Sequence, residues 1–335
     1  MLFSEAEMQV LGVLYAAELE NGTSDRATLD SNGDERYWIY KLDWTEAFPR
    51  LVENNLIEGD DSGYRLTAEG RPLAERFNEE RPDRMYYHYL RFWKAAFESL
   101  VHTLLCERVF GKDLCQDGMA DMEALADMIA KLNPGHGDRL LDLGCGAGLI
   151  TEYVSDSTGA RVVGLEYAPE AVKVAQERTR EKQQYLSFVQ GDMNALDLEP
   201  NSFDAVMSLD TLYWAVDLEA TMAKLVEAVK PGGQICVFMM QGPWDDDPPG
   251  QVPAEKTELG QVLAALGLRY EAHDYTAKNI AFWQRNHQAA VDLLDMFDSE
   301  GNGFIAQGLI KEAEEEFLPA IKANKMTRYL YQVWP

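Results

Sequence analysis

The chain has 335 residues, of which 46% are hydrophobic, so it can form one large or two moderate domains and is not intrinsically disordered. Its 57 acidic and 30 basic residues give a net charge of −27, which disfavours a nucleic-acid partner and favours neutral or cationic small molecules. Because the chain shows no membrane-length apolar run and no secretory signal, and because its four cysteines are scattered, we expect a cytoplasmic protein without a disulfide framework, a bound metal or a membrane partner.

Residues 1–80 follow the order of a winged-helix module. Apolar residues at helical spacing begin at Met8, and the polar stretch Asn21 to Arg36 predicts a loop. Asp43 is a candidate N-cap for the next helix. Asn55 to Thr67 predicts a β-hairpin around a turn rich in Asp and Gly, and a further helix follows it.

The charge of this module argues against DNA binding. Residues 1–80 contain 18 Asp and Glu against 7 Lys and Arg, a net charge of −11, whereas a DNA reader needs a basic face. We therefore expect the module to serve in dimerisation, giving a homodimer, or to cover the substrate.

Residues 81–136 predict a helical linker. Arg81-Pro82 is followed by a helical segment that is dense in aromatic residues from Met85 to Trp93 and includes His88. A second helix is predicted from Met119 to Leu132, and Asn133 to Gly137 lead into a strand.

A strand, a glycine turn and a helix then follow in order. The apolar run that begins at Arg139 leads into Asp142-Leu143-Gly144-Cys145-Gly146-Ala147-Gly148, and helical spacing resumes at Ile150. The next apolar run starts at Arg161 and ends at Glu166, where a carboxylate can accept hydrogen bonds from ribose hydroxyls. Leu149 occupies the place where a dinucleotide motif needs its third small residue, which disfavours a nicotinamide cofactor.

These residues resemble the first two motifs of the class I S-adenosylmethionine-dependent methyltransferases. The resemblance implies a doubly wound, seven-stranded, mostly parallel α/β sheet and S-adenosyl-L-methionine as the cofactor. It places the following residues at the cofactor: Asp142, Gly144, Cys145, Gly146, Gly148, Glu166 and Tyr167.

Later segments extend the resemblance over about residues 137–241. Asp192 and Met193 follow the third strand and match the family's adenine-binding positions. The fourth strand ends at Asp210, where the family brings donor and acceptor together, so Asp210 is also placed at the cofactor. Asp210, Tyr213 and His88 are the candidate catalytic residues, and the residues alone do not choose among them.

We therefore expect a methyltransferase domain over 137–335, with a helical insertion at about 278–325 before the last strand. The expected activity is methyl transfer by in-line displacement to a nitrogen, an oxygen or a carbon of a neutral or cationic small molecule. Two alternatives stay open: a cofactor-sensing transcriptional regulator with a methyltransferase-like core, and a cofactor-binding protein without catalysis.

Overall fold

A computed structural model describes residues 3–20, 24–80, 84–242 and 250–335. The chain divides into two compact units, Met1–Phe92 and Trp93–Pro335. Among the described residues, no helix combines the length and the apolar character that a membrane crossing requires.

The first unit consists of helices and one hairpin. Its elements are α1 (Glu5–Leu19), α2 (Arg26–Tyr37), α3 (Ala47–Glu53), β1 (Ile57–Asp60), β2 (Gly63–Leu66) and α4 (Gly70–Glu80). A capping box of Ser4 and Glu7 starts α1, whose buried face includes Leu11 and Leu14. The predicted hairpin is confirmed, since β1 and β2 pair antiparallel around a short turn.

Two sequence expectations in this unit were wrong. The stretch Asn21 to Arg36 is not a continuous loop, because Asp25 caps α2 by accepting the Thr28 N–H, and buried Leu29 and Tyr37 fix one face of this polar helix. Asp43 does not cap α3. Its carboxylate accepts the Thr45 N–H at 2.9 Å in a local turn, and α3 begins only at Ala47.

The second unit contains a seven-stranded sheet. Helix α5 (Arg84–Glu98) contains the boundary between the two units. The strands are β3 (Arg139–Leu143), β4 (Arg161–Glu166), β5 (Leu186–Gln190), β6 (Phe203–Leu209), β7 (Val229–Gln241), β8 (Arg269–Asp274) and β9 (Thr327–Trp334). Their order is β5-β4-β3-β6-β7-β9-β8. Within this sheet β9 runs in the opposite direction to the other six strands. The predicted mostly parallel, doubly wound fold is confirmed.

Helices connect these strands. They are α6 (Leu100–Phe110), α7 (Met122–Leu132), α8 (Leu149–Thr158), α9 (Pro169–Arg178), α10 (Leu218–Ala228), α11 (Glu258–Ala265), α12 (Thr276–Ser299), α13 (Gly303–Glu312) and α14 (Leu318–Lys322). Helices α12 to α14 lie in the sequence between β8 and β9.

The central strands are apolar on both faces because each face supports its own core. Successive residues of β3 belong to different cores. Leu140 belongs to the first core with Leu125 and Val154, and Leu141 belongs to the second core with Leu225. The strand order reverses between β3 and β6, and such a reversal opens a crevice at the carboxyl ends of these two strands.

Candidate functional site

The glycine loop lies at this crevice, between the end of β3 and the start of α8. Gly144, Gly146 and Gly148 have φ values of 77°, 53° and 75°, a backbone region that side chains disfavour. A Cβ atom would lie 2.3 Å from Thr211 at Gly144, 2.5 Å from Trp93 at Gly146, and 2.4 Å from Phe188 at Gly148. Only glycine fits these positions, so neighbouring side chains pack directly against the backbone of the loop.

Glu166, the last residue of β4, is tied to this loop through its carboxylate. Its Oε2 accepts the backbone N–H of Gly146 at 3.0 Å, and its Oε1 accepts that of Ala168 at 2.9 Å. Burial raises the pKa of Glu166, and these backbone hydrogen bonds oppose the rise. Each oxygen retains a second lone pair for a ligand hydroxyl.

Asp142 lies beneath the glycine loop on β3. Its Oδ2 accepts the Thr151 hydroxyl at 2.6 Å, and burial raises its pKa to about 7. Cys145 is also buried, and burial holds its pKa well above the ordinary value, so it carries a protonated thiol.

The residues predicted at the adenine position follow β5. Asp192 caps the short 3-10 turn Met193–Ala195 by accepting the Asn194 N–H at 2.8 Å, and Met193 is half-buried against the second core. Tyr167, which directly follows Glu166, is 58% exposed and therefore leaves most of its ring available for contact.

The three candidate catalytic residues lie in different environments. Asp210 is buried and both of its carboxylate oxygens are held by Arg328. Tyr213 is half-buried and packs edge-on against Trp214 with ring centroids 5.4 Å apart. His88 belongs to the first unit, where its Nδ1 lies 2.5 Å from the Tyr40 hydroxyl and its ring stacks on Phe92.

A segment that the sequence analysis did not place at the site also reaches the crevice. We call residues 113–119 the covering segment. The Met119 N–H donates to Asp210 at 3.0 Å, and the charge of Asp117 contributes to the raised pKa of Glu166. Trp93, Thr211 and Arg328 were likewise missed. Of these three residues, Thr211 had a local signal in the sequence, since it directly follows the candidate residue Asp210.

A hydrogen-bonded cluster anchors the start of the covering segment. Asp113 accepts the Thr103 hydroxyl at 2.7 Å and the Cys115 N–H at 2.8 Å, and Cys106 Sγ lies 3.6 Å from His102 Nδ1. Atoms of His102, Cys106 and Asp113 lie within 4.8 Å of one another. Burial raises the pKa of the Cys106 thiol and lowers that of His102, which favours the neutral forms of these two side chains. The expectation of no bound metal stays a prediction.

Comparison with known proteins found a family model and several relatives that match the part of the chain around the crevice. The methyltransferase domain family matches residues 141–237. Phosphoethanolamine N-methyltransferase 1 of Arabidopsis thaliana is 29% identical over 131 residues, which are 39% of this chain and 26% of that protein. Sterol 24-C-methyltransferase of Saccharomyces cerevisiae is 32% identical over 137 residues, which are 39% of this chain and 35% of that protein. The chain thus spans less than half of the length of either curated relative.

A solved structure shares the fold. Phosphoethanolamine N-methyltransferase 2 of Haemonchus contortus, in complex with phosphomonomethylethanolamine and S-adenosylhomocysteine, superposes with a TM-score of 0.59 at 18% identity. The match covers 73% of this chain and 60% of that structure. At this identity the similarity is one of fold.

Proposed function

We propose that this chain, whose residues 141–237 match the methyltransferase domain family, is a class I S-adenosylmethionine-dependent methyltransferase that transfers a methyl group from S-adenosylmethionine to a small molecule. The observation that carries the proposal is the buried Glu166 carboxylate facing a glycine loop whose three glycines leave no room for side chains. The accepting atom is a nitrogen, an oxygen or a carbon.

The residues at the crevice fit this cofactor. Gly144, Gly146 and Gly148 let the backbone approach the ligand, and the N-terminus of α8 presents free N–H groups beside it. Glu166 would accept the ribose hydroxyls, and Tyr167 would lie next to the nucleoside. Asp192 and Met193 would contact the adenine, while Asp142 and Cys145 support the loop from below.

The bound cofactor would supply an electrophilic methyl group on a sulfonium, which an acceptor attacking in line would take up while the neutral thioether leaves. The protein contributes alignment and the exclusion of water, and alignment can supply much of the rate enhancement. Of the candidate bases, Tyr213 belongs to the same unit as the crevice and would take a proton from a hydroxyl acceptor. We propose no base role for Asp210, because Arg328 and the Met119 N–H engage its carboxylate.

The acceptor that best suits this chain is neutral or cationic. The net charge of −27 creates a field that raises the local concentration of cations and repels phosphate backbones. The phosphoethanolamine and sterol methyltransferases act, by their names, on small molecules, which supports an acceptor of that size. For residues 1–80 we propose a role in homodimerisation or in covering the acceptor.

The test is calorimetric titration of the full chain with S-adenosylmethionine and, separately, with NADH. We expect micromolar binding of the methyl donor and none of NADH. Glu166→Ala should weaken donor binding at least about tenfold, because two backbone N–H groups and the ribose lose their acceptor. Glu177→Ala, which removes an exposed carboxylate from α9, is the matched control and should leave the affinity unchanged.

Absence of donor binding would overturn the cofactor assignment. Donor binding without turnover, against a panel of amines and phenols, would favour a non-catalytic binding protein. Specific retention of duplex DNA, altered by the donor, would favour a cofactor-sensing regulator.

A further inference from the structure

An ion pair with both side chains buried lies at the carboxyl edge of the sheet. Arg328 Nε lies 2.9 Å from Asp210 Oδ1, and Arg328 Nη2 lies 2.6 Å from Asp210 Oδ2. The exposed fractions of the two side chains are 1% for Arg328 and 0% for Asp210. This is the bidentate geometry that makes an arginine–carboxylate pair strong and directional.

The pair also holds the covering segment by its backbone. Asp210 Oδ2 accepts the Met119 N–H at 3.0 Å, and Arg328 Nη1 donates to the Met119 carbonyl at 3.3 Å. Both backbone groups of one residue are therefore satisfied by the two partners. Without the pair, this N–H and this carbonyl would lose their partners in a buried place, which is costly.

Further contacts join the pair to the sheet and to α12. The guanidinium of Arg328 lies 4.4 Å from the centre of the Phe238 ring on β7. The Arg328 N–H donates to the Thr276 hydroxyl at 3.1 Å, and the Arg328 carbonyl accepts the Tyr275 N–H at 2.8 Å. The pair therefore joins the ends of β6 and β7, the start of β9, the start of α12 and the covering segment.

The backbone at Asp210 turns the next residue towards the glycine loop. Asp210 has φ of 53°, a left-handed conformation that aspartate tolerates better than most residues. Thr211 then packs so closely on Gly144 that a Cβ atom there would lie 2.3 Å from its side chain. Displacement of Asp210 would consequently move a wall of the glycine loop.

We infer that Asp210 and Arg328 form a positioning pair, which holds the covering segment and Thr211 in the arrangement that binds the methyl donor. The inference rests on the proposed function for the identity of the ligand. It assigns a role to Arg328, which lies 118 residues beyond its partner, and it makes Asp210 a residue that acts through its neighbours. The Asp210 carboxylate is engaged by Arg328 and the Met119 N–H, so it does not contact the acceptor.

The experiment uses the full chain and compares Asp210→Asn, Arg328→Lys and the control Asp204→Asn. Asparagine keeps the shape and tolerates the left-handed backbone, so it removes chiefly the charge. Lysine keeps the charge and removes the bidentate geometry. Asp204 pairs with Lys230 at 2.8 Å near the other end of β6, so its substitution removes an ion pair away from the crevice.

Two quantities are measured: donor affinity by titration, and hydrogen–deuterium exchange of peptide 113–120 without donor. We expect Asp210→Asn to weaken donor binding at least about tenfold and to accelerate exchange in that peptide. Arg328→Lys should shift both quantities in the same direction by less, and Asp204→Asn should match the wild type in both.

A folded Asp210→Asn variant with wild-type affinity and wild-type exchange would overturn the inference. If Asp210→Asn does not fold, Arg328→Lys decides by the same two measurements. If the wild type binds no donor, the proposed function fails, whereas faster exchange in the variants would still establish that the pair holds the covering segment.

Discussion

At the scale of single residues, the crevice is notable for carboxylates that burial drives towards their neutral forms. Asp142 lies one residue before the end of β3, and Glu166 ends the neighbouring parallel strand β4. Burial is the largest contribution to the raised pKa of each. The negative charge of Glu166 raises the pKa of Asp142 further, and the Thr151 hydroxyl opposes the rise. These groups therefore make folding stability depend on pH.

We predict that ionisation of Asp142 lowers the free energy of unfolding as the pH rises from about 4 to about 7. The pKa of Asp142 is about 7 in the folded protein, against about 3.9 in an unfolded chain, so the folded state binds the proton more tightly. Its stabilising contribution is complete below about pH 4 and is lost as the pH passes through 7, by at most about 4 kcal/mol.

The measurement is urea unfolding of the wild type and Asp142→Asn at pH 5 and pH 8. Asparagine resembles the protonated acid, so the wild type should lose stability relative to the variant between the two pH values. Asp197→Asn, at an exposed position, is the control. An equal difference between wild type and Asp142→Asn at both pH values would contradict the prediction.

At the scale of elements, the glycine loop and the covering segment form the crevice by different means. The glycine loop needs backbone angles and close approaches that only glycine allows, so its sequence is characteristic. The covering segment is held by its own Asp113 and by side chains distant in the sequence, so its local sequence does not indicate where it packs. Helix α2 was missed for a related reason, since its face is fixed by packing within the first unit.

We predict that Gly146→Ala disrupts the glycine loop far more than Gly232→Ala disrupts the start of β7. Both glycines have positive φ values, 53° and 83°, so both substitutions introduce backbone strain of about 1 kcal/mol or more. A Cβ atom at Gly146 would also lie 2.5 Å from the Trp93 ring, whereas a Cβ atom at Gly232 would meet nothing within 4 Å.

Thermal unfolding and donor titration of the two variants distinguish the effect of backbone strain from that of the steric clash with Trp93. Gly146→Ala should lose at least about tenfold in donor affinity and unfold at a lower temperature than Gly232→Ala. Gly232→Ala should retain wild-type affinity. Equal behaviour of the two variants would mean that Trp93 moves away at little cost and that the close approach has no role.

At the scale of the whole molecule, the excess of acidic residues governs how the protein responds to its solvent. Ion pairs do occur, such as Lys182 with Asp156, but most are exposed and contribute little to stability. The net charge of −27 leaves uncompensated repulsion within the folded chain. The excess of acidic residues also argues against DNA binding by residues 1–80, and the winged-helix assignment of this segment stays a prediction.

We predict that moderate salt stabilises this protein at pH 7. Raising the ionic strength from about 0.01 M to about 0.15 M shortens the screening length from about 30 Å to about 8 Å, which weakens the repulsion among carboxylates. The midpoint of urea unfolding should increase over this range with sodium chloride. A midpoint that stays constant or falls would show that attractive ion pairs outweigh the net charge.

The sequence by itself indicated the glycine loop, the acid at the end of β4 and the order of strands and helices after Arg139, and the resemblance to the methyltransferase family rests on these features. These features are local: glycine spacing follows from backbone sterics, and strand and helix periods follow from burial on one or both faces. The same reasoning placed Asp210 at the end of β6 and named it as a catalytic candidate.

Only the tertiary structure showed which groups hold the Asp210 carboxylate. Its partner Arg328 starts the last strand, 118 residues away, and no local pattern connects the two. Because β9 runs antiparallel, its first residues rather than its last lie at the carboxyl edge of the sheet, where they meet the end of β6 and the covering segment. Which charged groups are paired and buried, and which remain available for chemistry, depends on contacts that form only when distant segments pack together.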